Sequence, residues 1–172
     1  MTVPLIEGRH PLIVKSMTWL DEASTESFAQ TLAARPAIGR ALIELQGDLG
    51  AGKTTFVRHL LRSLGVPGRI KSPTYAVVEA YTLDAPALDA VHNQGLAIWH
   101  FDFYRFNDPN EWEEAGFRET FASPGLKLVE WPEKVGDHLP LPELVIDINM
   151  LPDASRTITL TAYTPTGAEL LT

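Results

Sequence analysis

The sequence predicts an α/β domain built on a mixed sheet. Three observations carry that expectation. The stretch "IELQGDLGAGKTTFVRHLL" is an apolar strand, a glycine-rich loop and an amphipathic helix in succession. From residue 15 onward, strand-like and helix-like periods alternate instead of segregating. Two β-rich runs, "ELVIDINML" and "RTITLTAY", end the chain and are joined by "PDAS", which reads as a C-terminal β-hairpin. The 172 residues suffice for one domain and hardly for two. The expected division is an N-terminal arm over 1–15 and a single domain over 16–172.

Each element has a local reason. "KSMTWL" reads as a short strand. "DEASTESFAQTLAAR" reads as a helix, with Asp21 or Ser24 as its cap and Phe28, Leu32 and Ala33 on one face, ended by Pro36. "ALIELQ" is a buried strand. After the glycine-rich loop, Phe56, Val57, Leu60, Leu61 and Leu64 recur at helical spacing, and Gly65 stands where a helix C-terminal glycine belongs. "TYAVVEAYTL" and "LAIWHFDFYRF" are β-rich. The polar "DAPALDAVHNQG" between them, over 84–95, reads as an exposed loop. "DPNEWEEAGF" reads as a short helix with Asp108 at the N-cap, Pro109 at N1 and acids in its first turns. "LKLVEW" is a further short strand.

Composition narrows the function. Apolar residues make up 45% of the chain, enough for a core, and the absence of cysteine excludes disulfides and thiolate metal sites. The start has no basic segment followed by a sustained apolar one, and no apolar run approaches the roughly 18 residues of a membrane span. A cytoplasmic location is expected. The net charge of −8 argues against free-standing nucleic-acid binding, so RNA contact is expected only indirectly, through partners.

Gly47 to Thr54 match G-x-x-x-x-G-K-[ST] in full. Glycines let the backbone curl so that successive N–H groups face one anion, and the following helix N-terminus adds partial positive charge. Lys53 then reaches the β- and γ-phosphates and the Thr54 hydroxyl meets Mg²⁺. A metal needs a further acid, and hydrolysis needs a group that places water. Two strands end in acid, at Asp102 and Glu130. Each is either a ligand-facing group beyond a strand's carboxyl end or a solvated strand terminus. Thr74 in "KSPTY" either turns its hydroxyl to the γ-phosphate or Mg²⁺, or merely opens a strand after a turn. The chain lacks D-x-x-G and N-K-x-D, which disfavours a GTPase, and residues 106–155 hold Arg118 as their only arginine, which disfavours a small-molecule kinase with an arginine clamp. That kinase, and a nucleotide-sensing module without turnover, remain the alternatives. An acceptor molecule that accelerates ATP use would mark the first, and binding without turnover the second.

"GDLGAGKTTFVRHLL", "KSPTYAVVEAY", "HFDFYRF" with its following "DP", "E" and "AGF", and "LVEWPEK", in that order, resemble the TsaE family. These are small bacterial ATPases required to make threonylcarbamoyladenosine in tRNA. The resemblance covers about residues 18 to 162. It implies a three-layer P-loop NTPase-like fold with a mixed central sheet, and ATP and Mg²⁺ as ligands. It also implies weak hydrolysis alone and work with the TsaB–TsaD pair, in which TsaD transfers the threonylcarbamoyl group. By resemblance, Asp48, Gly50, Ala51, Gly52, Lys53, Thr54 and Thr55 hold ATP. Thr74 is switch-like, Asp102 lies on the metal side, and Glu130 helps hold Mg²⁺ and takes part in hydrolysis. The family places the base between the N-terminal helix and the C-terminal hairpin. Here that implies the backbone around Asp21–Ser24, Glu22 included, and Arg156, which either stacks on adenine or is a solvated hairpin residue. His100 is expected packed and hydrogen-bonded, and Arg105 ion-paired.

Overall fold

The computed structural model describes residues 9–84 and 95–172. Its strands are β1 (Ile13–Trp19), β2 (Leu42–Gln46), β3 (Val78–Leu83), β4 (Leu96–Asp102), β5 (Leu126–Glu130), β6 (Leu144–Met150) and β7 (Arg156–Ala162). They form one seven-stranded sheet in the order β1-β7-β6-β2-β5-β4-β3. The central β6, β2, β5 and β4 run parallel, and antiparallel pairs flank them on both sides. The helices are α1 (Glu22–Ala33), α2 (Lys53–Ser63), α3 (Glu111–Glu114), α4 (Phe117–Ala122) and α5 (Pro165–Leu170). Two apolar clusters line the sheet. One gathers Trp19, Leu32, Phe56, Leu60 and their neighbours. The other gathers Phe101, Phe103, Trp112 and Phe121. The result is the three-layer P-loop NTPase-like architecture with a mixed sheet and a closing β6–β7 hairpin.

The terminal signals of the long helices work as their residue types require. Asp21 caps α1 by accepting from the Ser24 N–H at 2.9 Å. After α2, the Gly65 N–H donates to Arg62 O and the Val66 N–H to Leu61 O, a Schellman motif that uses the positive φ of Gly65.

Several expected boundaries move. β1 begins at Ile13, inside the expected arm, because Leu12 and the strand itself pair with β7. The first eight residues of that arm, and the expected loop 84–95 apart from its two ends, lie outside the described residues. Thr74 does not open a strand. Residues 74–77 form a turn in which the Val77 N–H donates to Pro73 O at 2.6 Å, and pairing starts at Val78. Val77 stands at φ 70, a left-handed conformation that costs a β-branched residue about 1–2 kcal/mol. The acidic helix starts at Glu111 with Asn110 at its N-cap, and not at Pro109 with Asp108 as the cap; the Asp108 carboxylate accepts from the Asn110 N–H at 3.0 Å. Gly116, at φ 75, then breaks it from α4. The strand "LKLVEW" stops at Glu130, since Trp131 turns left-handed at φ 57. A 3-10 helix over Pro36–Arg40 and α5 were not expected. No helix among the described residues is long and apolar enough to cross a membrane.

Candidate functional site

The parallel strands β2, β5 and β4 all point their carboxyl ends toward one edge of the sheet, the place where open α/β sheets bind ligands. β2 delivers the glycine-rich loop there. Gly47 (φ 141), Gly50 (φ 80) and Gly52 (φ 111) let the loop curl into the first turn of α2. A side chain at Gly47 would overlap the Ile148 carbonyl oxygen of β6. β4 and β5 deliver the acids: Asp102 and Glu130 are register partners, and Leu45 of β2 pairs with Glu130 on its other side.

The loop and the acids face one cleft of about 270 Å³, whose walls include Gly50, Gly52, Lys53, Thr54, Thr55 and Arg156. Leu49, Thr74, Asp102, Glu130, Tyr104 and Trp131 complete it. The Thr54 hydroxyl donates to Glu130 Oε1 at 2.7 Å. Glu130 Oε2 meets His100 Nε2 at 2.6 Å, and both side chains are buried. His100 Nδ1 has no partner among the described residues. The tautomer with its proton on Nε2 leaves only a lone pair unpaired there, the cheaper choice, and makes His100 a donor to Glu130. The Thr74 hydroxyl donates to Asp102 Oδ2 at 3.0 Å, and the Tyr104 N–H donates to Oδ1 at 2.9 Å.

The Lys53 ammonium donates to Gly47 O and, at 3.0 Å, to Asp48 O. It also lies 4.2 Å from the centre of the Trp131 ring, a cation–π contact made possible by the left-handed turn at that residue. Burial pushes its pKa down, and Glu130, Glu133, Asp102 and Asp48 pull it back up. Burial pushes the Asp102 pKa up. The Tyr104 N–H opposes that shift, Glu130 adds to it, and Thr74 and His100 oppose it. A desolvated cation thus stands over the loop beside two carboxylates that repel each other.

Not every expected residue is placed there. Ala51 is buried and contributes its carbonyl, which accepts from Arg156 Nε at 2.7 Å. Arg156 therefore lies against the loop at Gly52 and is not a solvated hairpin residue. Asp48 contributes its carbonyl. Glu22 is outside this cleft: it pairs with His59 at 2.9 Å and lines a neighbouring cleft that shares only Thr55. Arg105 has no ion pair among the described residues and lies over the exposed Tyr75 ring, 3.9 Å from its centre. Sequence reasoning missed the His100–Glu130 and Tyr104–Asp102 bonds and the Trp131 ring beside Lys53. Strand alternation carried part of the signal, since His100 and Asp102 share a face two residues apart.

A family model described as "Threonylcarbamoyl adenosine biosynthesis protein TsaE" matches residues 19–158. The chain belongs to the TsaE family. Relatives named tRNA threonylcarbamoyladenosine biosynthesis protein TsaE include one from Haemophilus influenzae, 38% identical over 146 residues, with 85% of each chain covered. One from Bacillus subtilis is 36% identical over 151 residues, with 87% of each covered. The crystal structure of Bacillus subtilis YdiB superposes with a TM-score of 0.68 at 31% identity, covering 92% of this chain and 93% of that one. The family match spans both the loop and the two acids.

An oxygen-only donor set of one hydroxyl and two carboxylates suits Mg²⁺. Among the described residues no three acidic or histidine side chains converge as a metal cage. A metal held by Thr54, Asp102 and Glu130 would therefore complete its shell with phosphate oxygens and water, as Mg²⁺ commonly does.

Proposed function

We propose that this chain is the Mg²⁺-dependent ATP-binding and ATP-hydrolysing component of tRNA threonylcarbamoyladenosine synthesis, working in the cytoplasm with a TsaB–TsaD pair. The observation that carries the reading is the Thr54–Glu130 hydrogen bond, which ties the glycine-rich loop to a carboxylate standing beside Asp102. The family match supplies the pathway.

In this reading the loop amides and Lys53 hold the phosphate chain, and Thr55 and Arg156 flank it. Thr54, Asp102 and Glu130 hold the metal side. Mg²⁺, when bound, draws off the negative charge of the phosphate oxygens. Glu130 orients the attacking water, and His100 and Thr54 hold its carboxylate in place. The remaining work is positioning and charge stabilisation, which is how phosphoryl transfer is usually catalysed. Thr74 links the phosphate end to Asp102, and the strained Val77 turn behind it is the natural place for the segment to change state.

Two variants test this. Lys53→Ala removes a charge-assisted contact, of a kind that contributes about 1.5–3 kcal/mol, so calorimetry should show Mg-ATP affinity falling about tenfold or more. Glu130→Gln should lose most turnover while still binding ATP. Unchanged ATP affinity in a folded Lys53→Ala protein would remove the phosphate-loop assignment, and full turnover in Glu130→Gln would remove Glu130 from the chemistry.

A further inference from the structure

The fold assembles a basic cleft that the net charge conceals. Thr55, Arg58, His59 and Arg62 recur along one face of α2 at helical spacing. The chain then turns at Gly65 and runs back with Val66 and Ile70 buried in the core, so that Arg69 and Lys71, on either side of Ile70, project outward. Arg58, Arg62, Arg69 and Lys71 line a cleft of about 670 Å³ together with His59 and Glu22. Four permanent cations face one carboxylate, and that carboxylate is already engaged by His59.

None of the four cationic side chains has a hydrogen bond or ion pair among the described residues. Several other cations are engaged, Arg40 by Glu169, Arg118 by Glu113, Lys127 by Ser123 O and Arg156 by Ala51 O, and those that are not, such as Arg9 and Arg35, are not gathered into one cleft with other unengaged cations. Gathering four like charges without countercharge costs folding free energy, which an anionic ligand would offset. The cleft is more than twice the volume of the loop cleft and shares only Thr55 with it. Its walls are long polar arms with no aromatic platform and, Ile70 aside, no apolar floor. A protein interface would need an apolar centre, and a small ligand an enclosing wall. Guanidinium forks match phosphate oxygens without either.

We infer that this cleft is a contact site for the phosphodiester backbone of tRNA, read for its charge and not for its bases. The choice of tRNA as the polyanion rests on the pathway proposed above. The expectation of purely indirect RNA contact came from the total charge, which hides four cations spread over residues 58–71 that α2 and its return loop bring together.

The test is fluorescence anisotropy with a labelled, unmodified tRNA transcript across a salt series. The variants are Arg62→Glu and Arg35→Glu, which change net charge equally but lie inside and outside the cleft. Wild type should bind at low salt, with log affinity falling against log salt at a slope of about −2 to −3, for three or four phosphates. Arg62→Glu should weaken binding about tenfold or more and flatten the slope, Arg35→Glu should change it less than threefold, and ATP affinity should stay unchanged in both. Arg62→Gln, milder for the helix, should lose affinity in the same sense. Equal loss in the Arg62→Glu and Arg35→Glu variants, or no binding by wild type, would overturn the inference. So would loss of TsaB–TsaD binding with tRNA binding intact, which would mark an acidic protein as the occupant. Joint loss of ATP and tRNA affinity would make the cleft part of the nucleotide site and overturn it as well. Wild type that binds tRNA but not ATP would overturn the ATPase reading alone.

Discussion

Glu44 lies on β2, the strand that feeds the glycine-rich loop, and is 7% exposed. It lines a cleft with Glu133 and Asp137, and burial, with Glu133 adding to it, pushes its pKa from 4.5 up to about 7. The folded value exceeds the unfolded one, so the native state disfavours the charged form. Stability is undiminished below the unfolded pKa and falls as pH rises from about 4.5 to about 7. Glu44→Gln should therefore stabilise the protein at pH 8 by on the order of 2–3 kcal/mol and change little at pH 4. Denaturant titrations at the two pH values check this, and a variant with wild-type stability at both would contradict it. At this scale the sequence was uneven. Lys53 and Thr54 were legible because their motif binds residue type to geometry. Asp102 and Glu130 were legible because each ends an apolar run. The His100–Glu130 bond was not, since it depends on which strands are neighbours and in what register. The pairing of Glu22 with His59 was not legible for a similar reason: that partner lies on another helix.

Elements were legible where hydrophobic period and end signals agreed. β2, the loop and α2 are the clearest case, and the β6–β7 hairpin follows from two β-rich runs around "PDAS". The failures have local causes. "TYAVV" has strand composition, but the bond from Val77 N–H to Pro73 O holds a turn against that propensity. The expected acidic helix has Gly116 next to its end, and the left-handed conformation there separates α3 from α4. The 3-10 turn and α5 are too short for periodicity to register. Loop geometry makes its own prediction. A methyl group at Gly47 meets the β6 backbone, which cannot rotate away as a side chain would. Gly47→Ala should cost about 2–4 kcal/mol, from the positive φ and the clash together, as read by urea denaturation. A near-wild-type midpoint would show that the loop relaxes around the methyl group.

On the scale of the whole molecule, the sheet order explains why the site exists. β5 lies between β2 and β4, so the loop, Glu130 and Asp102 meet at one edge although they are separated by 28 residues or more in sequence. The same edge carries the Ser72–Val77 turn, with the exposed Tyr75 and the Arg105 that covers it. A partner touching this turn would feel the nucleotide through Thr74 and Asp102. ATP favours such a complex only if it binds the complexed conformation more tightly than the free one. The measurement that tests this most directly is the affinity of the chain for a purified TsaB–TsaD pair with a non-hydrolysable ATP analogue, with ADP and without nucleotide. Affinity should be highest with the analogue, by about tenfold over ADP, equivalent to about 1.4 kcal/mol of coupling. Equal affinity in all three states would contradict nucleotide control of the partnership.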